Sequence, residues 1–296
     1  MGSKEPRTRK VASVDGTYLD VGGVRTYCID VGSGPPVVLF HGAAVAVDAY
    51  ITWFRAIDAL KDRFRVIAFD QVGFGRTDLP QDGIYMNRLE RVDHALTVLD
   101  MLDVKDACLV GHSEGAFMAA RIAIVEPARA RNLVLVTTGG TAPYLGGDAD
   151  KEWMAAADEA YNDPSRFDSE DDFIRTSLHL SLHKDERYEA ILRENYRRAI
   201  EVGQDDMFRS LPTGDSHYVE YGELQKKYVL PHLGELNIPT LLVWSTDDGT
   251  VPVSRGLKLL EAMPSAELHV IRDAAHNVMH DQTAKFNRLL VNFCEA

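Results

Sequence analysis

Ala107-Cys108-Leu109-Val110-Gly111-His112-Ser113-Glu114-Gly115 is the stretch from which the rest of the chain can be read. Four apolar residues of strand character run straight into a G-x-S-x-G sequence. Residues 116–126 then continue in a helical pattern, rich in alanine and carrying Phe117, Ile122 and Val125, that stops near Pro127. Strand, tight turn and helix make a nucleophile elbow. Small residues flank a turn too sharp for side chains, and one serine oxygen is held clear at the top of a sheet. The helix start beside it offers unpaired N–H groups and a field that favours an oxyanion. Five residues alone match by chance; the strand and helix around them give the motif its weight.

Working outward, Val37-Val38-Leu39-Phe40 and residues 66–69, 133–136 and 240–244 are further short apolar runs, each entering a polar or glycine-rich turn. Unbroken apolarity predicts strands buried on both faces, hence a mainly parallel sheet covered by helices, an α/β fold. Residues 25–30 and 267–271 are expected to add strands, the latter near an edge. Leu89, Val92, Leu96 and Leu99 recur at helical spacing, as do Phe286, Leu289, Leu290 and Phe293, and both stripes read as core. The alternation stops after Thr138. Residues 153–161, 171–182 and 187–202 read as successive helices with no strand between them, and strand–helix units resume at Ile238. This predicts a flexible tail over 1–10, a core in two parts (11–142 and 229–296), and between them a helical cap over 143–228, above the carboxyl ends of the strands where open α/β sheets place ligands.

Composition narrows the function. Residues 146–228 hold 20 Asp/Glu against 11 Lys/Arg and 10 of the 25 aromatic residues, so the insert differs in kind from its surroundings. The formal charge of −13, with no basic stripe to offset it, argues against nucleic acid. Apolar runs are strand-sized, so neither a membrane span nor a signal peptide is expected. Cys28, Cys108 and Cys294 lack metal or redox spacing, and Cys28 and Cys108, inside strand-like runs, read as buried free thiols of a reducing, cytoplasmic protein. A homodimer stays open.

A serine hydroxyl needs a histidine to take its proton and a carboxylate to orient that histidine. If the chain order is serine, acid, histidine, both partners follow Ser113. Ser245-Thr246-Asp247-Asp248-Gly249-Thr250-Val251-Pro252 follows a late strand and offers two acids. Residues in adjacent positions point differently, so only one can serve. Asp273-Ala274-Ala275-His276-Asn277 puts His276 after the last strand among small residues; His280, where the final helix begins, is its rival. Phe40-His41-Gly42-Ala43-Ala44 can turn amides inward, so the backbone N–H groups of Ala43 and Glu114 are the candidate oxyanion donors. His41 reads as a loop prop. Glu114 is either a helix-start carboxylate or a contact for substrate. Gly73-Phe74-Gly75 lacks the third glycine and helix of a dinucleotide fingerprint, and no Walker or zinc motif occurs. The chemistry needs no cofactor and no metal.

From 24 to 293 these elements, in this order, resemble the α/β-hydrolase superfamily. The resemblance implies the α/β-hydrolase fold: a mostly parallel eight-stranded sheet flanked by helices, with a helical cap inserted after the sixth strand. It also favours Asp248 over Asp247. Within the superfamily the chain is most similar to the meta-cleavage product hydrolases, through Thr138-Gly139-Gly140 leading into the cap and through Asp248-Gly249-Thr250-Val251-Pro252. That implies cleavage of a carbon–carbon bond next to a ketone in a small, apolar or aromatic-derived 2-hydroxy-6-oxo-dienoate. The chain departs from the family at His112 (commonly Asn), at Asn277 (commonly Trp) and near Asn195, where the family has a carboxylate-binding arginine. His41, Gly42, His112, Asn277, Trp153 and Asn195 are therefore candidates for substrate contact or loop support. Carboxylester or lactone hydrolysis is the alternative reaction, and a non-catalytic receptor or scaffold is the alternative of another class.

Overall fold

The computed structural model describes residues 16–162, 164–183, 185–211 and 215–295; the expected 1–10 tail lies outside them. The apolar runs form one eight-stranded sheet: β1 (Thr17–Val21), β2 (Val24–Val31), β3 (Pro36–Phe40), β4 (Arg65–Phe69), β5 (Ala107–His112), β6 (Ala130–Val136), β7 (Thr240–Ser245) and β8 (Ala266–Ile271). Their spatial order is β1-β2-β4-β3-β5-β6-β7-β8, antiparallel at β1/β2 and β2/β4 and parallel elsewhere. As the sequence implied, the central strands are buried along almost their whole length, whereas edge strand β8 is largely open. β1 is the strand the apolar pattern missed. It is an edge strand with only Val21 buried, and it reaches β2 through Gly22-Gly23, whose φ angles of 61° and 88° suit a two-residue hairpin turn.

Helices cover both faces. α1 (Ala49–Leu60) and α11 (Thr283–Glu295) pack on one, through Trp53, Phe54, Ile57, Phe286 and Leu290. On the other lie α2 (Arg88–Met101), α3 (Glu114–Val125) and α9 (Val253–Ala262), through Val92, Leu99, Phe117, Ile122 and Leu259. Asn87 and Glu90 form a reciprocal capping box that starts α2.

The insert after β6 is helical: α4 (Asp148–Asn162), α5 (Glu170–Ser177), α6 (Glu186–Val202), α7 (Gln204–Arg209) and α8 (Asp215–Tyr228). The single helix expected over 171–182 is shorter than its pattern. It stops at Ser177, a 3-10 turn follows at Leu178–Leu180, and the chain leaves helix because the core captures its backbone. The Asn277 N–H donates to the Leu180 carbonyl (2.9 Å), and the Asp281 carboxylate takes the N–H groups of Leu182 and His183 (3.0 Å). α7 was not foreseen either; Gly203, at φ 78°, ends α6 and starts it in a new direction. α6 and the start of α7 seat on the core: Asn195 Nδ2 donates to the Ala46 carbonyl (3.0 Å), Gln204 bridges the Ala46 N–H and the Gly73 carbonyl, and Asp185, which caps α6, pairs with Arg55.

Among the described residues no helix is long and apolar enough to cross a membrane. All three cysteines are buried thiols, with Cys108 and Cys294 Sγ 2.9 Å apart between β5 and α11. The reduced native protein is expected to react negligibly with a thiol reagent over minutes and to titrate three thiols in denaturant. A thiol that reacts fast in the native state would contradict this packing.

Candidate active site

β5 delivers Ser113 into a turn that its neighbours force. A Cβ on Gly111 would lie 2.3 Å from the Gly115 carbonyl oxygen, and one on Gly115 would lie 2.2 Å from that of Phe40. With backbone this close, Ser113 is held at φ 53°, ψ −118°, costly for a residue with a side chain and typical of a functional turn. Its N–H is tied to the Val136 carbonyl of β6 (2.9 Å).

The loops after β7 and β8 bring the other two positions together. Asp248 Oδ2 accepts from His276 Nδ1 at 2.8 Å, and both are buried. Asp248 Oδ1 accepts from the Thr250 N–H and Oγ1 (both 2.8 Å) and from the Val251 N–H (3.0 Å). Burial alone would raise the Asp248 pKa. His276 and these hydrogen bonds outweigh it and hold the carboxyl below its ordinary range. A charged Asp248 fixes the hydrogen of His276 on Nδ1 and leaves the Nε2 lone pair for proton abstraction. Asp247 does not reach His276; its carboxylate takes the Thr246 hydroxyl at the surface.

Ser113 and His276 line one cavity of about 40 Å³ with Gly42, Ala43, His112 and Asn277. His276 Nε2 is buried there without a partner, so the serine–histidine hydrogen bond is not made in this structure. The Glu114 N–H, at the first position of α3, has no intrahelical acceptor. The Glu114 carboxylate is turned away to Arg91, Arg88 and the Tyr85 hydroxyl (3.4 Å), which removes its charge from the oxyanion position. Sequence reading missed this buried cluster. Its signal was Arg88 and Arg91 sharing the inward face of α2 with Ala95 and Leu99.

His41 props its loop: Nδ1 donates to the Gly42 carbonyl (2.7 Å) and Nε2 accepts from the Gln71 N–H (3.0 Å). Trp153 is not brought to the cavity; its indole donates to Asp150 (2.9 Å) beside Arg255. Asn195 is likewise spent on Ala46. Asn277 is in the wall, donating to Ser181 Oγ (3.1 Å) and the Tyr188 hydroxyl (3.3 Å). His280, set aside as a rival base, lines the same cavity, stacked on Phe54. Thr52, Tyr161, Leu180 and Tyr188 are also in the wall and carry no local motif. A larger hollow of about 420 Å³, walled by α4, α5 and the 248–250 turn, meets the inner cavity at Leu180 and His276.

Two expectations follow from these environments. Gly115→Ala should destabilise the fold by about 2–4 kcal/mol in chemical denaturation, because backbone rather than a movable side chain blocks the methyl; wild-type stability would refute the close packing. The second concerns acid. Burial pushes His41 and His280 down to about 3, His94 to about 4, and His112 well below its ordinary value. Below 6.5 the unfolded chain protonates these rings and the folded one does not. Stability should therefore fall with pH by about 1.4 kcal/mol per unit for each such histidine, until the folded values are reached. Asp70 offsets one of the four, since burial and Asp48 raise it to about 7 and it is protonated when folded between there and 3.8. Urea midpoints should drop steadily from pH 6.5 to 4.5; a flat profile would contradict the buried neutral rings.

The family model described as alpha/beta hydrolase fold matches residues 35–283. The 2-hydroxymuconate semialdehyde hydrolase of Pseudomonas sp. (strain CF600) is 30% identical over 281 residues, covering 94% of this chain and 93% of that protein. The 2-hydroxy-6-oxo-2,4-heptadienoate hydrolase of Pseudomonas putida is also 30% identical, over 95% of this chain and 96% of its own. Among solved structures, a variant of the meta-cleavage product hydrolase from Pseudomonas fluorescens IP01, complexed with acetates, superposes with a TM-score of 0.79 at 30% identity, covering 94% of this chain and 97% of that one. On these matches, and with the helical insert after β6, the protein belongs to the α/β-hydrolase fold family and, within it, to the meta-cleavage product (carbon–carbon bond) hydrolases.

Proposed function

We propose that this protein hydrolyses a carbon–carbon bond next to a ketone in small, aromatic-derived compounds of the 2-hydroxy-6-oxo-dienoate type, with Ser113 as nucleophile, His276 as base and Asp248 as its orienting acid. The observation that carries it is the buried Asp248–His276 hydrogen bond opening its free Nε2 onto the cavity that holds Ser113. The dienol is first ketonised, with His276 moving the proton, so that the leaving carbon departs as a stabilised enolate. As His276 takes the Ser113 proton, the serine oxygen adds to the ketone carbon, and the Ala43 and Glu114 N–H groups hold the oxyanion. The carbon–carbon bond then breaks, the imidazolium returns its proton to the departing carbon, and water activated by His276 releases the acyl group from Ser113. Substrate binding draws Ser113 Oγ and His276 Nε2 into hydrogen-bond distance. Residues 143–228 act as the cap that selects the substrate.

A second reading, hydrolysis of small hydrophobic esters or lactones by the same residues, is favoured by one observation: among the described residues lining the inner cavity, none is Lys or Arg. To test both, the purified protein is offered 2-hydroxy-6-oxohepta-2,4-dienoate beside short p-nitrophenyl esters and a lactone, with products identified. Loss of the dienolate absorbance with release of acetate is expected, falling by at least about 10³-fold in Ser113→Ala and by about 10²- to 10⁴-fold in kcat for Asp248→Asn. Turnover of esters or lactones alone would overturn the carbon–carbon assignment. Full activity in Ser113→Ala would overturn the serine mechanism.

A further inference from the structure

The wall of the inner cavity holds two ring nitrogens, besides His276 Nε2, that meet no partner among the described residues. His112 Nε2 lies 3.1 Å from the His276 carbonyl, which also accepts from Thr137 Oγ1 (3.1 Å). A carbonyl can only accept, so the His112 hydrogen sits on Nε2. Burial, reinforced by neighbouring His276, keeps the ring neutral, and Nδ1 is therefore a lone pair. That nitrogen faces the reacting side: a Cβ on Gly42 would be 3.5 Å from His112 Nδ1 and 3.1 Å from Ser113 Cβ. Across the cavity, His280 Nδ1 is likewise buried without a partner.

Such a wall selects by hydrogen-bond polarity. A carboxylate placed here would lose its water, face the His112 lone pair and find no cation among the described residues of the lining. An uncharged hydroxyl would satisfy an acceptor that is otherwise orphaned, and a methyl of equal size would leave it so. We propose that His112 is the specificity-determining residue of this cavity, its Nδ1 accepting a hydrogen bond from an uncharged hydroxyl or enol on the part of the substrate beside Ser113 and discriminating against a carboxylate there. The link to catalysis rests on Ser113 being the nucleophile; the binding preference itself does not. The family's usual asparagine carries both a donor and an acceptor. The histidine, with its one N–H committed to the His276 carbonyl, carries only the acceptor.

Three ketones that differ in one arm test this: hydroxyacetone (hydroxyl), butanone (methyl) and pyruvate (carboxylate). Each is titrated against protein with ¹⁵N-labelled histidine, so that affinity and the His112 ring signals are read without turnover. Hydroxyacetone should bind about tenfold more tightly than butanone, with pyruvate weakest, and should move the His112 Nδ1 resonance. In His112→Phe the hydroxyacetone-to-butanone ratio should fall to about one. In His112→Asn, which restores a donor, pyruvate should gain on both. Pyruvate binding as tightly as hydroxyacetone, a preference that survives in His112→Phe, or equal or undetectable binding of all three overturns the proposal. If His112→Phe does not fold, the His112→Asn shift decides. A protein inactive on dienoates can still pass this test, and an active one can fail it, so the two readings fall separately.

Discussion

The site depends on how closely α3 approaches the sheet. The Phe40 and His41 carbonyls lie so near Gly115 that nothing larger than hydrogen fits between them, and the same approach repeats where Gly111 meets Gly115 and Ala116. Two consequences follow from that one constraint. The turn must pass through a left-handed conformation at Ser113, which lifts its side chain clear of the sheet. The start of α3 must also sit beside the Gly42–Ala43 loop, where a Cβ on Gly42 would lie 3.1 Å from Ser113 Cβ. Ser113 and the start of α3 are thus set by a single packing contact in the backbone. Asp248 and His276 arrive independently, on loops at the ends of β7 and β8, and are joined by one buried hydrogen bond.

Much of this was legible in the sequence because the signals were local. Unbroken apolar runs such as Val37 to Phe40 report strands buried on both faces, and a glycine on either side of Ser113 reports the tight turn. Asp248 and His276 were legible as loop residues after late strands. Choosing Asp248 over Asp247 needed the family pattern, since adjacent acids differ only in which way the backbone aims them. β1 escaped because an edge strand with one buried residue leaves almost no apolar imprint. The extent of α5 escaped because its end is decided by hydrogen bonds to Asn277 and Asp281, about a hundred residues away. Trp153 and Asn195 were reasonable candidates by type, and partners outside the cavity claim both.

Buried charge is kept off the wall of the inner cavity, whose described lining holds no Asp, Glu, Lys or Arg. Glu114 is neutralised by Arg91 and Arg88 behind the elbow, and Asp48 is approached by Arg76 (3.4 Å) and by Arg198 of α6 (3.6 Å). His41, His112 and His280 are held neutral by burial. In a low-dielectric site this leaves Asp248 as the charged group that meets the His276 ring, through one well-placed hydrogen bond rather than a diffuse acidic surface.

The hydrogen bond from the Asn277 N–H to the Leu180 carbonyl ties the residue after His276 to the turn of the insert that walls both hollows. Cap and catalytic loop are therefore not separable modules along this seam. In a lineage that broadens its substrate range by exchanging caps, the segment around Leu180 must be inherited together with the histidine loop, because a foreign cap would bring new walls and leave the base without its outer support.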